Sequence, residues 1–218
     1  MRRYVLVIVA LLTCMPLAAQ QQPQEITADQ LWSALIAGNK EFVAGKIVYD
    51  QLKQERDQFD EGQFPPITVL ACSDSRVPPE LVLNQSLGTL FVIRTAGNVA
   101  DTFGIASIEY AITEGYTKLI VVLGHENCGA VRASMTGDDP GSPNLLGLAQ
   151  RIRSSFTGLT WDPKNPETVQ KGVEANARAS ATQLIAQSRV IRDAAMTGKV
   201  KIVTATYDLN TGEVKKLE

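Results

Sequence analysis

Two short segments of the sequence hold the side chains best suited to binding a metal ion. Residues 71–76 read ACSDSR and residues 124–129 read GHENCG, and together they contain the only histidine and two of the three cysteines of the chain. Thiolate sulfur, imidazole nitrogen and carboxylate oxygen are the atoms that zinc takes into a tetrahedral shell, and a catalytic zinc site keeps one position for water or substrate. The two segments therefore predict a metal site with Cys72, His125 and Cys128 as three of its ligands.

Asp74 has two alternative roles beside such a site. It could bind the metal as a fourth ligand, which would close the shell and leave no room for a reactant. It could instead stay off the metal, pair with Arg76 two residues further on, and accept a hydrogen bond from a metal-bound water. The residues alone leave both arrangements open, and only the second is a hydrolytic centre.

Simpler explanations compete with the metal site. Two cysteines in an exported protein often form a disulfide, and a single histidine after an apolar run is commonly a core residue. A thiol–disulfide protein that uses Cys72 and Cys128 is a further alternative, although the usual Cys-x-x-Cys spacing is missing. None of these explains why Asp74 and Arg76 follow Cys72 so closely, so we favour the metal.

Short apolar runs precede both segments and predict the elements that position them. Strand-like runs lie at residues 67–71, 89–93 and 118–123, and helix-like segments lie between them at 79–84 and 102–114. This alternation predicts an α/β fold with a mostly parallel central sheet flanked by helices. Cys72 and His125 then follow carboxyl ends of strands, where open α/β sheets gather their ligands, and Cys128 directly precedes a predicted helix.

The two ends of the domain are predicted from capping and turn residues. Thr27 and Gln30 form a capping-box pattern that opens a helix, and in a single chain its apolar stripe would pack on the core. Residues 167–195 predict one long helix or two shorter ones. Residues 201–207 and 213–217 flank a turn at 208–212 and predict a pair of hairpin-like strands that closes the fold.

The ordered motifs resemble those of the beta-class carbonic anhydrases. Cys-Ser-Asp-Ser-Arg followed by His-Glu-Asn-Cys-Gly is similar to the signature of that family, and the similarity extends from Leu31 to Met135 and more loosely through the C-terminal strands. The resemblance implies one zinc ion per subunit, bound by Cys72, His125 and Cys128. It also implies that Asp74 and Arg76 form a catalytic dyad beside the metal. For the helix that Thr27 opens, it implies an N-terminal arm that packs on a neighbouring subunit instead of on its own core.

The same resemblance implies a substrate pocket. Gln63 corresponds to a glutamine that donates a hydrogen bond to substrate across a dimer interface, and Phe91 and Tyr110 correspond to aromatic walls. Ala96 stands where many relatives have valine, which predicts a slightly wider pocket. Gly97 either lets the backbone approach the site closely or is an ordinary turn glycine. This set resembles the subgroup with a freely accessible site rather than the one with an inhibitory bicarbonate pocket.

The function implied is that of a carbonate dehydratase, a lyase that hydrates carbon dioxide reversibly to bicarbonate and a proton through zinc-bound hydroxide. Two thiolates weaken the acidity of the metal, so activity is expected to rise above neutral pH. The predicted assembly is a homodimer or homotetramer. Two alternatives remain: a carbon disulfide or carbonyl sulfide hydrolase on the same fold, and a non-catalytic protein that binds zinc or bicarbonate.

The N-terminus has the basic, apolar and small-residue parts of a secretory signal, which predicts a leader at 1–19 and a single domain at 20–218. The domain is then exported, either periplasmic or secreted. A lipoprotein signal ending at Cys14 is an alternative, and lipidation there would be its only contact with a membrane. A buried N-terminal helix is another. Without the leader, 19 basic residues face 23 acidic ones, a balance of −4, and no basic run predicts nucleic acid as a partner.

Overall fold

A five-stranded sheet forms the centre of the fold, in a computed structural model that describes residues 25–47, 49–158 and 160–218. The strands lie in the order β2-β1-β3-β4-β5. The first four are parallel and β5 pairs antiparallel with β4. Their bounds are β1 Ile67–Cys72, β2 Leu90–Thr95, β3 Leu119–His125, β4 Lys201–Tyr207 and β5 Val214–Lys216. The α/β class with a mostly parallel sheet is confirmed.

Eight α-helices surround the sheet in the part of the chain that the structure describes. They are α1 Ala28–Val43, α2 Leu52–Gln58, α3 Pro79–Val82, α4 Thr102–Thr113, α5 Gly129–Thr136, α6 Pro143–Arg153, α7 Pro166–Gln187 and α8 Arg189–Met196. None of the described helices combines the length and the apolar composition that a membrane crossing requires. The predicted leader and the cysteine proposed for lipidation, Cys14, lie outside the described residues.

The two central strands are buried on both faces. Every residue of β1 and β3 is buried, which accounts for their runs of valine, isoleucine and leucine. Side chains of alternate residues point to opposite faces, so each strand contributes to two separate apolar clusters. This burial fixes the register of the strands, because a slip of one residue would exchange the two faces.

Helix α1 packs on the sheet of its own chain. Thr27 and Gln30 form the predicted capping box, and Leu31 and Leu35 are buried against one face of the sheet. Asn39, buried on the same helix, donates to the carbonyl oxygens of Val82 and Gly212 at 2.8 Å each. Within the single chain, α1 therefore packs on the core, and its predicted role as an arm on a neighbouring subunit stays a prediction.

The opposite face of the sheet is covered by α4, α7 and α8, whose apolar residues join one cluster. The segment predicted as one long helix or two shorter ones is two, because the chain leaves helical geometry at Ser188. The Ser188 hydroxyl accepts a hydrogen bond from the Ile191 amide at 3.0 Å and caps α8. The predicted C-terminal pair of strands is also confirmed, as β4 and β5.

Candidate metal centre

Cys72, His125 and Cys128 come together at the carboxyl end of the sheet. Cys72 ends β1, His125 ends the neighbouring strand β3, and Cys128 is the N-cap of α5. One ligand atom from each of the three lies within 4.8 Å of the other two, and all three residues are buried. The parallel pairing of β1 with β3 thus brings together residues that are far apart in sequence.

The spacing of the two sulfurs suits a tetrahedral metal. The Sγ atoms of Cys72 and Cys128 are 4.0 Å apart, and both cysteines are free thiols. Two Zn–S bonds of about 2.3 Å at the tetrahedral angle separate their sulfurs by roughly 3.8 Å. A zinc ion therefore fits between these sulfurs with almost no movement of the chain.

His125 presents one ring nitrogen without a partner. Its Nδ1 lies 2.9 Å from the carbonyl oxygen of Glu126, so Nδ1 carries the proton and donates it there. Its Nε2 is fully buried and has no hydrogen-bond partner among the described residues. A buried nitrogen lone pair costs free energy when no donor or metal binds to it. A metal ion on Nε2 would use this lone pair, and it needs the tautomer with the proton on Nδ1, which is the one that the structure contains.

The hydrogen bond between the two thiols shifts their pKa values in opposite directions. The hydrogen bond with Cys128 is the largest cause that lowers the pKa of Cys72 to about 4. The same hydrogen bond, with burial, raises the pKa of Cys128 above its ordinary value. Because metals bind thiolates, a divalent cation at this position would hold both sulfurs ionised.

Asp74 is held beside the three ligands by Arg76. The Arg76 Nε and Nη2 atoms donate to the two carboxylate oxygens at 2.9 and 2.7 Å, and the Arg76 amide donates to Oδ1 at 3.0 Å. These bonds keep the pKa of Asp74 well below its usual range. Its Oδ2 lies 3.8 Å from Nε2 of His125. Of the two alternative roles, this conformation has Asp74 paired with Arg76 and outside the group of three.

Gly97 approaches the metal site through its backbone, which was one of its two predicted roles. Its amide donates to Sγ of Cys72 at 3.3 Å. Its φ is +66°, and a Cβ there would lie 2.8 Å from Cδ1 of Ile152. The left-handed conformation favours glycine, and a Cβ would force the buried Ile152 side chain to shift. Ala96 precedes it in the same short 3₁₀ turn, Ala96–Asn98, and is partly buried.

Sequence reasoning missed two charged residues that brace this centre. Arg94 donates to the carbonyl oxygens of Cys72 and Asp74 at 3.0 and 2.6 Å, so it fixes the main chain that carries the dyad. Glu126 accepts hydrogen bonds from the Leu209 amide and the Asn210 side chain, which ties the loop after His125 to the β4–β5 turn. Glu126 stands inside the quoted GHENCG segment and Arg94 lies near the end of β2, but nothing in the sequence indicates their partners.

The other predicted pocket residues lie near the amino ends of β1 and β2, at the end of the strands opposite to the metal ligands. Phe91 pairs with Thr68 near the start of β1, and its ring lies 6.2 Å from that of Tyr110. Gln63 is exposed in the segment that leads into β1, next to Phe64, whose ring contacts Tyr116. The rings of Tyr110 and Tyr116 contact each other at 6.2 Å and complete this aromatic group.

The length of β1 separates this aromatic group from the metal ligands of the same chain. A strand rises about 3.3 Å per residue, so Ile67 and Cys72 at the two ends of β1 are roughly 16 Å apart. The single chain therefore brings Cys72, Asp74, Ala96, Gly97, His125 and Cys128 to one place. Gln63, Phe91 and Tyr110 lie near the amino ends of the strands instead.

Comparison with known proteins identifies a common family. A family model described as carbonic anhydrase matches residues 67–214. A carbonic anhydrase of Mycolicibacterium smegmatis is 36% identical over 188 residues, which cover 84% of this chain and 90% of that protein. Carbonic anhydrase 2 of Mycobacterium tuberculosis is 36% identical over 185 residues, covering 83% and 88%.

Solved structures agree with the sequence comparison. The beta-carbonic anhydrase CafA of Aspergillus fumigatus superposes with a TM-score of 0.66 at 28% identity, covering 86% of this chain and 91% of that one. A Coccomyxa beta-carbonic anhydrase in complex with acetazolamide superposes with a TM-score of 0.67 at 26% identity, covering 85% of each chain. The structural similarity therefore covers most of the chain.

Proposed function

This chain belongs to the beta-class carbonic anhydrases, and from that premise we propose that it catalyses the reversible hydration of carbon dioxide to bicarbonate and a proton. The observation that carries the proposal is the group formed by Cys72, His125 and Cys128, with the Asp74–Arg76 pair beside it. A metal position bordered by an ionised acceptor is the arrangement that activation of a water molecule requires.

We assign zinc, one ion per subunit, to these three residues. Two thiolate sulfurs and one neutral imidazole nitrogen form a donor set that zinc prefers. When bound, zinc supplies the Lewis acidity that lowers the pKa of a water molecule and makes it a nucleophile near neutral pH. The Nδ1 contact of His125 with the Glu126 carbonyl oxygen keeps Nε2 free for that role.

Asp74 selects and orients the reacting water. Because Arg76 keeps it ionised, its carboxylate can only accept hydrogen bonds, so a water beside it must point a proton toward Asp74. The oxygen lone pair of that water then faces the substrate. Arg94 supports this geometry by donating to the carbonyl oxygens of Cys72 and Asp74.

A second copy of the chain completes the substrate pocket in this proposal. Ala96 and Gly97 border the metal ligands of their own chain. Gln63, Phe91 and Tyr110 lie near the amino ends of the strands. In a homodimer, the partner would bring its own aromatic group to this metal centre. Apolar walls suit the linear, uncharged carbon dioxide, and the Gln63 amide would donate to its oxygen. A homotetramer would contain two such dimers.

The proton released in the reaction has no histidine to carry it. His125 is the only histidine of the chain and is committed to the metal. The transfer therefore falls to water, to buffer or to the Tyr110 hydroxyl. We expect turnover at high substrate concentration to depend on buffer concentration for this reason.

We also propose that the domain is exported after removal of residues 1–19, as a periplasmic or secreted enzyme. The support for this is the order of basic, apolar and small residues at the start of the sequence. N-terminal sequencing of protein recovered from its native host would test it, and a first residue other than Gln20 would change the assigned cleavage site.

One experiment tests the catalytic proposal directly. Zinc content and stopped-flow carbon dioxide hydration would be measured together between about pH 6.5 and 9, the range in which a zinc-bound water titrates. The proposal requires stoichiometric zinc and an activity that rises across this range. Zinc without turnover would support the non-catalytic alternative, and turnover of carbonyl sulfide or carbon disulfide alone would support the hydrolase.

A further inference from the structure

Asn176 is a buried polar residue in the middle of α7. It is 2% exposed, and its Nδ2 donates to the carbonyl oxygen of Gly97 at 2.6 Å. Asparagine is a poor helix former, and its amide costs free energy when it is buried without a partner. Its position is therefore explained by the contact with Gly97 rather than by the stability of the helix.

Gly97 connects Asn176 to the metal site. The carbonyl oxygen of Gly97 accepts from Asn176, while its amide donates to Sγ of Cys72 at 3.3 Å. Its backbone is in the left-handed region, where glycine moves freely between alternative conformations. The contact with Asn176 attaches this turn to α7 as well as to Cys72.

Helix α7 is a rigid support for that attachment. Gly124, directly before His125, leaves space that Val173 and Ala177 of α7 fill, since a Cβ there would lie 3.2 and 3.5 Å from their side chains. Val173 and Ala177 are themselves fully or almost fully buried. The helix that carries Asn176 is thus packed directly on the strand that carries the histidine ligand.

We propose that Asn176 is a positioning residue of the metal centre, which holds Gly97 so that its amide donates to the Cys72 thiolate. The inference rests on the assignment of a metal to Cys72, His125 and Cys128. An N–H group directed at a coordinated sulfur withdraws electron density from it. Asn176 therefore stabilises the thiolate form of Cys72, which the metal binds, and limits how much charge that sulfur donates.

The test compares two variants of Asn176 with a matched control. Asn176→Leu removes the amide and keeps the volume, and Asn176→Ala removes it without any risk of overpacking. Asn39→Leu is the control, because Asn39 is also buried on a helix and donates to two carbonyl oxygens, those of Val82 and Gly212, away from the metal ligands. Loss of either asparagine destabilises the fold, but only Asn176 is connected to the sulfur.

The readouts are zinc affinity, measured by competition with a chelator, and the sulfur-to-cobalt charge-transfer band of the Co²⁺-substituted protein. Removing Asn176 should weaken zinc binding about 10–100-fold, the usual cost of losing a partner that supports a ligand. It should also move the band to longer wavelength, because a sulfur without its N–H donor gives up an electron more easily. The Asn39→Leu protein should keep the wild-type band.

Unchanged bands in both Asn176 variants, or an equal shift in the Asn39→Leu control, would overturn the inference and leave Asn176 a purely structural residue. If Asn176→Leu does not fold, Asn176→Ala decides between the outcomes. In the wild-type protein, a ¹¹³Cd-substituted sample adds a further check, since the Gly97 amide proton should couple to the metal through the sulfur. A wild-type protein that shows no thiolate–cobalt band at all would instead refute the metal assignment itself.

Discussion

Arg94 donates to the carbonyl oxygen of Asp74 at 2.6 Å, so a residue of β2 holds the main chain from which the carboxylate of the β1 loop extends. The same guanidinium reaches the carbonyl oxygen of Cys72 at 3.0 Å. One side chain thereby fixes the main chain of Cys72 and Asp74 relative to each other. This relationship explains how a short loop keeps Asp74 beside the proposed metal ligands.

Replacement of Arg94 by lysine should lower activity although the charge is kept. A lysine ammonium cannot reproduce the planar fork that spans two carbonyl oxygens. We expect the hydration rate to fall by roughly 10-fold or more while zinc content stays stoichiometric, as for residues that support metal ligands. Stopped-flow assays with metal analysis would check this. Arg189→Lys, on the exposed Arg189–Asp193 pair of α8, is the control and should leave the rate unchanged.

Asp74→Ala should separate metal binding from catalysis. The three ligands remain, so zinc should stay bound, but the acceptor that orients the reacting water is lost. The hydration rate should fall by roughly 10²-fold or more, the scale of a positioned proton-handling group. An unchanged rate would exclude Asp74 from the mechanism. Loss of zinc from the variant would show instead that Asp74 contributes to metal binding.

Metal removal should expose the two cysteines to oxidation. Their sulfurs are 4.0 Å apart without a bond, and a zinc ion between them would keep them as thiolates. After chelation in air, we expect a disulfide between Cys72 and Cys128 and a loss of activity that zinc alone does not reverse. Zinc added after a reductant should restore it. Peptide mapping by mass spectrometry would detect the bond, and a metal-free protein that keeps both thiols in air would contradict the prediction.

Asp208 should give the β4–β5 turn a pH-dependent stability. Its carboxylate accepts from the amides of Thr211 and Asn210 at 3.0 and 2.8 Å, and these bonds lower its pKa. Because the folded-state pKa lies below the unfolded value of about 3.9, this contribution is present above that pH and is lost as the pH falls through the folded value.

The variant Asp208→Asn keeps an acceptor oxygen and removes the charge, so it isolates the effect of ionisation. The difference in free energy of unfolding between wild type and variant should be largest at neutral pH and should shrink toward pH 3. Zinc release in acid is common to both proteins and cancels in the difference. A difference that is constant with pH would show that the charge of Asp208 does not matter.

The metal-binding side chains were predictable because they follow the carboxyl ends of strands, and in a parallel sheet these ends lie on the same side. This rule predicts that Cys72 and His125 lie close together, and the structure contains them as neighbours. Asn176 was not predictable, because it belongs to a helix distant in sequence and reaches Gly97 only through tertiary packing. The same holds for the placement of α1, since an amphipathic stripe does not indicate whose core it covers.

Mixed dimers would test whether Gln63 serves the neighbouring subunit. Gln63 precedes β1, whereas Cys72 ends it. Gln63 therefore lies at the amino end of the strand, away from the metal ligands of its own chain. Gln63→Ala alone should lower kcat/KM up to about 10-fold, the effect of one lost hydrogen bond to substrate. Zinc content should not change, because Gln63 is not a ligand.

The decisive sample combines an Asp74→Ala subunit with a Gln63→Ala subunit in one dimer. If Gln63 acts across the interface, the site of the Gln63→Ala subunit has its own Asp74 and receives an intact Gln63 from the partner. Such a dimer should regain close to half of the wild-type activity per dimer, well above either parent. If Gln63 acted within its own chain, every site would keep one defect, and the mixed dimer would only average its parents. Tandem affinity tags isolate the mixed species, and a tagged wild-type dimer is the reference.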